Sequence, residues 1–150
     1  MVTTAKTAPR KVDTLLAHYG KSHTNPTNEV IHFVAIPLIM LSVVGLFYAL
    51  HPWAAYAFVA ASMVYYARLG SAVLLAAMGV WSLVMVSLIA LMGANVLAIS
   101  VGLFVFGWVI QFIGHKIEGK KPSFLEDIQY LWVGPLFVLT RLMLRLNLKW

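Results

Sequence analysis

The sequence predicts an all-α fold: a polytopic membrane helical bundle of about four transmembrane helices, with an N-terminal surface helix and a re-entrant or interfacial C-terminal helix. Three observations predict it. Of the 150 residues, 61% are apolar and only 11% charged, and mean hydropathy is +0.86. A soluble domain is about half apolar and about a quarter charged, and a soluble chain this short could not cover so much apolar surface. From Leu69 to His115, 47 positions, no Asp, Glu, Lys or Arg occurs; that is more than two hydrocarbon spans at about 20 residues each. Finally, the apolar runs are helix-length and end at turn residues.

Length allows a single membrane domain over residues 1–150, with residues 1–10 expected to be disordered. Lys11 to Tyr19 reads as a short amphipathic surface helix, with Val12, Leu15, Leu16 and Tyr19 on one stripe, ending at Gly20. Asn25-Pro26 reads as a helix start, because Asn accepts from a free backbone N–H and Pro at the first helical position has none to lose. The first span runs from about Val30 to Leu50, carries Pro37, which should kink it, and stops at His51-Pro52. The second, Trp53 to Ala67, is short; Trp53 and a snorkelling Arg68 would extend its reach. Ser71–Met92 and Asn95–Gly114 follow, with Gly93-Ala94-Asn95 as the turn, and Ala72, Ala76, Gly79, Gly107 and Gly114 would allow close helix approach. After a polar, basic loop from Lys116 to Asp127 comes a last run, Ile128 to Thr140, which Gly134-Pro135 is expected to break.

Cysteine is absent, so disulfides, thiolate metal sites and cysteine nucleophiles are excluded. A net charge of +6 and a pI near 9.8 do not point to nucleic acid. The basic residues stand at the ends of apolar runs, where they meet anionic lipid headgroups. With a cytoplasmic N-terminus, Lys6, Arg10, Lys11, Lys21, Arg68, Lys116, Lys120 and Lys121 all fall inside, and the two opposite turns carry none. That is a positive-inside pattern. A fifth span would put Arg141, Arg145 and Lys149 outside, which argues for a C-terminal element that does not cross. The host would be a bacterial inner membrane or the endoplasmic reticulum.

This orientation gathers the chemistry on one face. All five acids and His18, His23, His32 and His115 lie in or beside the segments flanking the first and fourth spans; only His51 lies opposite, at a turn. Asn28 and His32 stack at i, i+4, and Gln111, His115 and Glu118 form a polar stripe at i, i+4, i+7. Such groups in hydrocarbon need partners, so the two stripes should face each other. Three imidazoles with a carboxylate form an iron or zinc inventory. A helix-bridging hydrogen-bond network with no metal, in a small scaffold or lipid-binding protein, uses the same residues, and Glu118 would then be a solvated partner of Lys116, Lys120 and Lys121. Membrane di-iron hydroxylases use more histidines than the five present. A transporter needs a mid-membrane ionisable group, and no G-x-S-x-G motif supports a serine hydrolase.

The run His23-Thr24-Asn25-Pro26-Thr27-Asn28, with Ile31-His32 and Ile36-Pro37, resembles the opening block of the fungal-type 2-hydroxy fatty acid dioxygenases, long filed as a domain of unknown function. Gly107-Trp108, Gln111-Phe112 and Gly114-His115, then Glu118 and Pro122, are similar to the second block, and Gly134-Pro135-Leu136-Phe137 to a later element. Two departures are a stretch from His115 to Pro122 one residue shorter than the common pattern, and Arg141 where the family often has an acid. His18 lacks a counterpart and is a secondary candidate. The resemblance implies an Fe(II)-dependent membrane dioxygenase of fatty acid α-oxidation that removes one carbon from a 2-hydroxy acyl chain with O2. A 2-hydroxy acid can chelate iron through carboxylate and hydroxyl and leave a position for O2. It implies His23, His32 and His115 as metal ligands, Glu118 as a catalytic residue or fourth ligand, and Asn28 and Gln111 as cofactor-binding residues behind them. The partners are then a 2-hydroxy fatty acid, O2 and membrane lipid, with no nucleic acid; a homo-oligomer stays open.

Overall fold

The computed structural model describes residues 9–21, 23–119 and 130–150, and these are helical without strands. Helix α1 spans Lys11–Gly20, α2 Pro26–Leu50, α3 Pro52–Ala67, α4 Ala72–Met92, α5 Val96–Glu118 and α6 Val133–Arg145; a 3-10 turn, Gly93–Asn95, joins α4 to α5. The expectation of disorder at the start of the chain, and the loop residues Lys120, Lys121, Pro122, Glu126 and Asp127, lie outside the described residues.

Local chemistry sets most of the boundaries. The Asn25 side chain accepts from the backbone N–H of Thr27 and Asn28 and caps α2 directly ahead of Pro26. His51 does the same for α3, its Nδ1 accepting from the Trp53 N–H at 3.2 Å. The Ser71 hydroxyl caps α4 through the Leu74 N–H. Gly93 adopts φ +54°, the left-handed region that glycine enters without strain, and there the chain leaves α4. Helix α2 continues through Pro37 to Leu50.

The C-terminal expectation needs one correction. Gly134-Pro135 does not break a helix but opens one, α6, in whose first turn a proline lacks only an N–H that would have no intrahelical partner. At 13 residues, about 20 Å, α6 is too short to cross a hydrocarbon core of about 30 Å. It packs instead on α1, α2 and α4.

Helix α2 is the axis of the molecule, in contact with α3, α4, α5 and α6, and its broadest seam is with the antiparallel α5. Glycines permit that seam. A Cβ at Gly107 would stand 2.7 Å from the Ile39 side chain, one at Gly114 would meet the Asn28 amide, and one at Gly45 would meet the Ser100 hydroxyl. Gly79, by contrast, has only ordinary contact with Met63. Among the described residues two helical stretches are long and apolar enough to cross a membrane, Pro26–Leu50 and the 47-residue stretch Ala72–Glu118 that contains the 3-10 turn. Large apolar side chains point outward along the second, including Val80, Leu83, Leu91, Leu97, Val105 and Phe106, a surface suited to lipid rather than water.

Candidate metal centre

Three separate segments bring His23, His32 and His115 together. His23 lies on the link between α1 and α2, His32 on the second turn of α2, and His115 one turn before the end of α5. All three are buried, His32 completely. The ring centroids lie 4.4 Å apart for His23 and His32, 5.1 Å for His32 and His115, and 6.0 Å for His23 and His115, with mutual tilts of 61–88°. Metal–imidazole bonds of about 2.0–2.1 Å put the centroids of rings sharing one ion roughly 4.5–5.5 Å apart. Two separations match and the third is slightly long. Among the described residues no group of three or more His, Asp or Glu donors stands in place to hold a metal ion.

The tautomers favour the same atoms. Nδ1 of His32 lies 2.9 Å from the Asn28 carbonyl and Nδ1 of His23 2.9 Å from the Tyr19 carbonyl. A carbonyl can only accept, so each Nδ1 carries a proton, and in the neutral ring Nε2 then holds the lone pair. These Nε2 atoms, with that of His115, are buried. Metal-binding histidines are commonly fixed in this way, through the nitrogen remote from the metal. The donor set thus fits a borderline divalent ion such as iron or zinc.

The remaining residues of the two sequence stripes hold this cluster together. Glu118 accepts at Oε1 from the Thr24 N–H (2.8 Å) and hydroxyl (2.6 Å), and at Oε2 from the Asn25 N–H and the Asn28 side-chain amide, both at 3.0 Å. Its carboxylate therefore ties the His23 link and the start of α2 to the end of α5. Asn28 joins both parts, through its side chain to Glu118 and through its backbone carbonyl to His32. The i, i+4 pairing of Asn28 with His32 is thus made by the backbone rather than the side chain. Gln111 lies buried one turn below His115 and lines a cleft beside the cluster.

Two histidines stand apart. His51 is the exposed cap of α3, as a turn position suggests, and His18 pairs with the Tyr130 hydroxyl at 3.0 Å on an exposed edge. Sequence reasoning gave Tyr19 no place at the site and named Phe137 only within the later Gly134-Pro135-Leu136-Phe137 element. Tyr19 stacks on the His23 ring at 4.2 Å, and Phe137 packs on the same ring at 5.5 Å. The only hint of Tyr19 was its place on the apolar stripe of α1. Also missed was the pairing of Glu29 with Arg145 at 3.3 Å, with Arg141 at 4.0 Å.

An all-helical, strongly apolar chain with a buried imidazole cluster between its two central helices matches a described family. The model for "2-hydroxy-palmitic acid dioxygenase Mpo1-like" proteins covers residues 10–146, and the chain belongs to that family. A curated relative is the 2-hydroxy-palmitic acid dioxygenase MPO1 of Saccharomyces cerevisiae, 26% identical over 139 residues, an alignment covering 88% of this chain and 79% of the relative. No solved structure matches.

Proposed function

We propose that the protein is a non-haem Fe(II)-dependent membrane dioxygenase that converts a 2-hydroxy fatty acid to the fatty acid one carbon shorter. The reaction R–CHOH–COOH + O2 → R–COOH + CO2 + H2O balances without an external reductant. The observation that carries this reading is the buried trio of His23, His32 and His115, two of them with Nε2 set as the lone-pair nitrogen. Family membership supports the reaction class, and the yeast relative is named for the palmitic member of the substrate class.

The three Nε2 atoms would hold the ion, which when bound supplies a Lewis acid for the hydroxy acid and electrons for O2. The chain supplies the rest. Glu118 and Asn28 position two ligands at once, and Tyr19 and Phe137 cover His23 against water. Arg141 lies over the Phe137 ring at 5.1 Å, and Arg141 and Arg145 share the one carboxylate of Glu29. The excess positive charge, with that of Lys116, would draw a substrate carboxylate to this end of the bundle. In the bilayer α2, α3, α4 and α5 would span, α1 and α6 would lie at one interface, and the metal would face the cytoplasm.

Metal analysis of protein purified without chelators tests the site. The expected result is iron approaching one equivalent per chain, removed by chelator and lost in His32→Ala and His115→Ala. Bound iron unchanged in both variants rules out the ligand assignment. Iron bound normally, with no CO2 released from 2-hydroxy-palmitate under O2, rules out the reaction while sparing the site.

A further inference from the structure

Two of the clefts that reach between the helices share a wall. The first begins beside the imidazoles: Tyr19, which stacks on His23, and Gln111, one turn from His115, form its upper wall, and Ile36, Trp108 and Leu131 its apolar sides. The second lies between α2, α3 and α4, lined by Val44, Phe58, Met78, Trp81 and Met85. Met40 lines both. Leu131 also belongs to both surroundings, because it lines the first cleft and packs on the apolar cluster of Met40, Val44 and Met85 beside the second. Both are narrow, with about 20 Å³ open to a water-sized sphere, so an acyl tail enters only as the side chains around Met40 part.

We propose that the acyl tail of the 2-hydroxy acid runs from the histidine cluster down the first cleft, and that Met40, set against Leu131, determines how long a tail is accepted. This rests on the function proposed above. Tyr19, which stacks on His23, and Gln111, one turn from His115, mark the end of the cleft nearer the cluster, and Ile36, Ile39, Trp108 and Leu131 make the rest apolar, which is the polarity of a fatty acid with its carboxyl and hydroxyl toward the cluster. Met40 is buried at the junction. Methionine is unbranched with three rotatable bonds and fills irregular gaps, so it can yield to a long tail while supporting a short one. Trp132 keeps the Leu131 side of the junction in place, its indole N–H donating to the Ser62 hydroxyl at 2.8 Å while its carbonyl accepts from the Tyr66 hydroxyl at 3.2 Å.

The test compares wild type, Met40→Ala, Met40→Phe and Leu131→Phe on saturated 2-hydroxy acids of about 8 to 18 carbons. A methylene gained or lost in an apolar pocket changes discrimination about 10–200-fold. Met40→Ala should move the optimum toward longer acids. Met40→Phe should lose the longest acids by at least about tenfold while keeping the shortest, and Leu131→Phe should reproduce this should Met40→Phe fail to fold. A second readout needs no turnover. Without O2, a long acid brominated at its tail end should quench Trp81 in the second cleft, read as the quenching lost in Trp81→Phe, and a short one should not. An unchanged chain-length profile in all folded variants, with catalysis intact, overturns the proposal and leaves the function standing. No turnover of any 2-hydroxy acid, with Trp81 still quenched in a Met40-dependent way, overturns the function and leaves the tail path standing. No quenching of Trp81 by any brominated acid overturns the path itself.

Discussion

At the scale of single residues, Glu118 illustrates how a charge near an apolar interior can act through its neighbours. Its two oxygens receive the Thr24 N–H and hydroxyl, the Asn25 N–H and the Asn28 amide, so a side chain at the end of α5 determines where His23 stands. Bonds to an ionised acceptor contribute about 1.5–3 kcal/mol each, and more when a donor is left unmet. Glu118→Gln keeps the shape but replaces one oxygen with a donor facing other donors. We expect it to lower the unfolding free energy by about 1–3 kcal/mol, measured by denaturation in detergent, and to weaken metal retention through His23. Glu118→Asp retracts the carboxylate and should lose retention with less loss of stability. If metal binding in Glu118→Gln equals that of wild type while stability falls, the carboxylate supports the fold and not the site. The sequence made the Gln111, His115 and Glu118 stripe visible because helical spacing alone puts those residues on one face. It did not disclose Thr24 as a partner, since that contact spans 94 positions and leaves no local pattern.

At the scale of elements, the seam between α2 and α5 brings His32 and His115 within reach, and small residues decide how closely the helices approach. A methyl group at Gly107 would press into Ile39, and one at Gly114 into Asn28. Overpacking of this kind costs about 1–3 kcal/mol. Gly102 is on the same helix, and a methyl group there would meet nothing within 4 Å, so alanine at that position should be neutral or stabilising by up to about 1 kcal/mol. Gly107→Ala and Gly114→Ala should therefore destabilise and Gly102→Ala should not, in thermal or denaturant unfolding; equal effects at all three would mean that helix propensity, not contact, governs the seam. Element ends were legible wherever backbone chemistry fixes them, as at Asn25-Pro26, His51-Pro52 and the Gly93 turn. Gly134-Pro135 was ambiguous because the same dipeptide suits a helix interruption or a first turn, and packing of α6 on α1 and α2 decides. Gly107 and Gly114 could be picked out as small residues, but Gly45 acquires its role only opposite Ser100, a partner 55 positions away.

At the scale of the whole molecule, the distribution of charge makes a statement about sidedness that the chain is well suited to test. Arg10, Lys11, Lys21, Arg68 and Lys116 lie toward the imidazole end of the helices, whereas the turns at His51-Pro52 and Gly93–Asn95 at the other end have no Lys or Arg. Positive charge is retained on the cytoplasmic side during insertion, so the three histidines should face the cytoplasm and both turns the opposite compartment. The natural sequence has no cysteine, and a single introduced thiol reports its own location without background. Lys21 and Asn95 are both exposed. In sealed inverted vesicles, Lys21→Cys should react at once with a membrane-impermeant maleimide and Asn95→Cys only after permeabilisation; right-side-out vesicles should reverse the order. Both thiols reacting from the same side would eliminate the arrangement in which α2, α3, α4 and α5 each cross. Reversal in both preparations would keep the four crossings but place the three histidines outside.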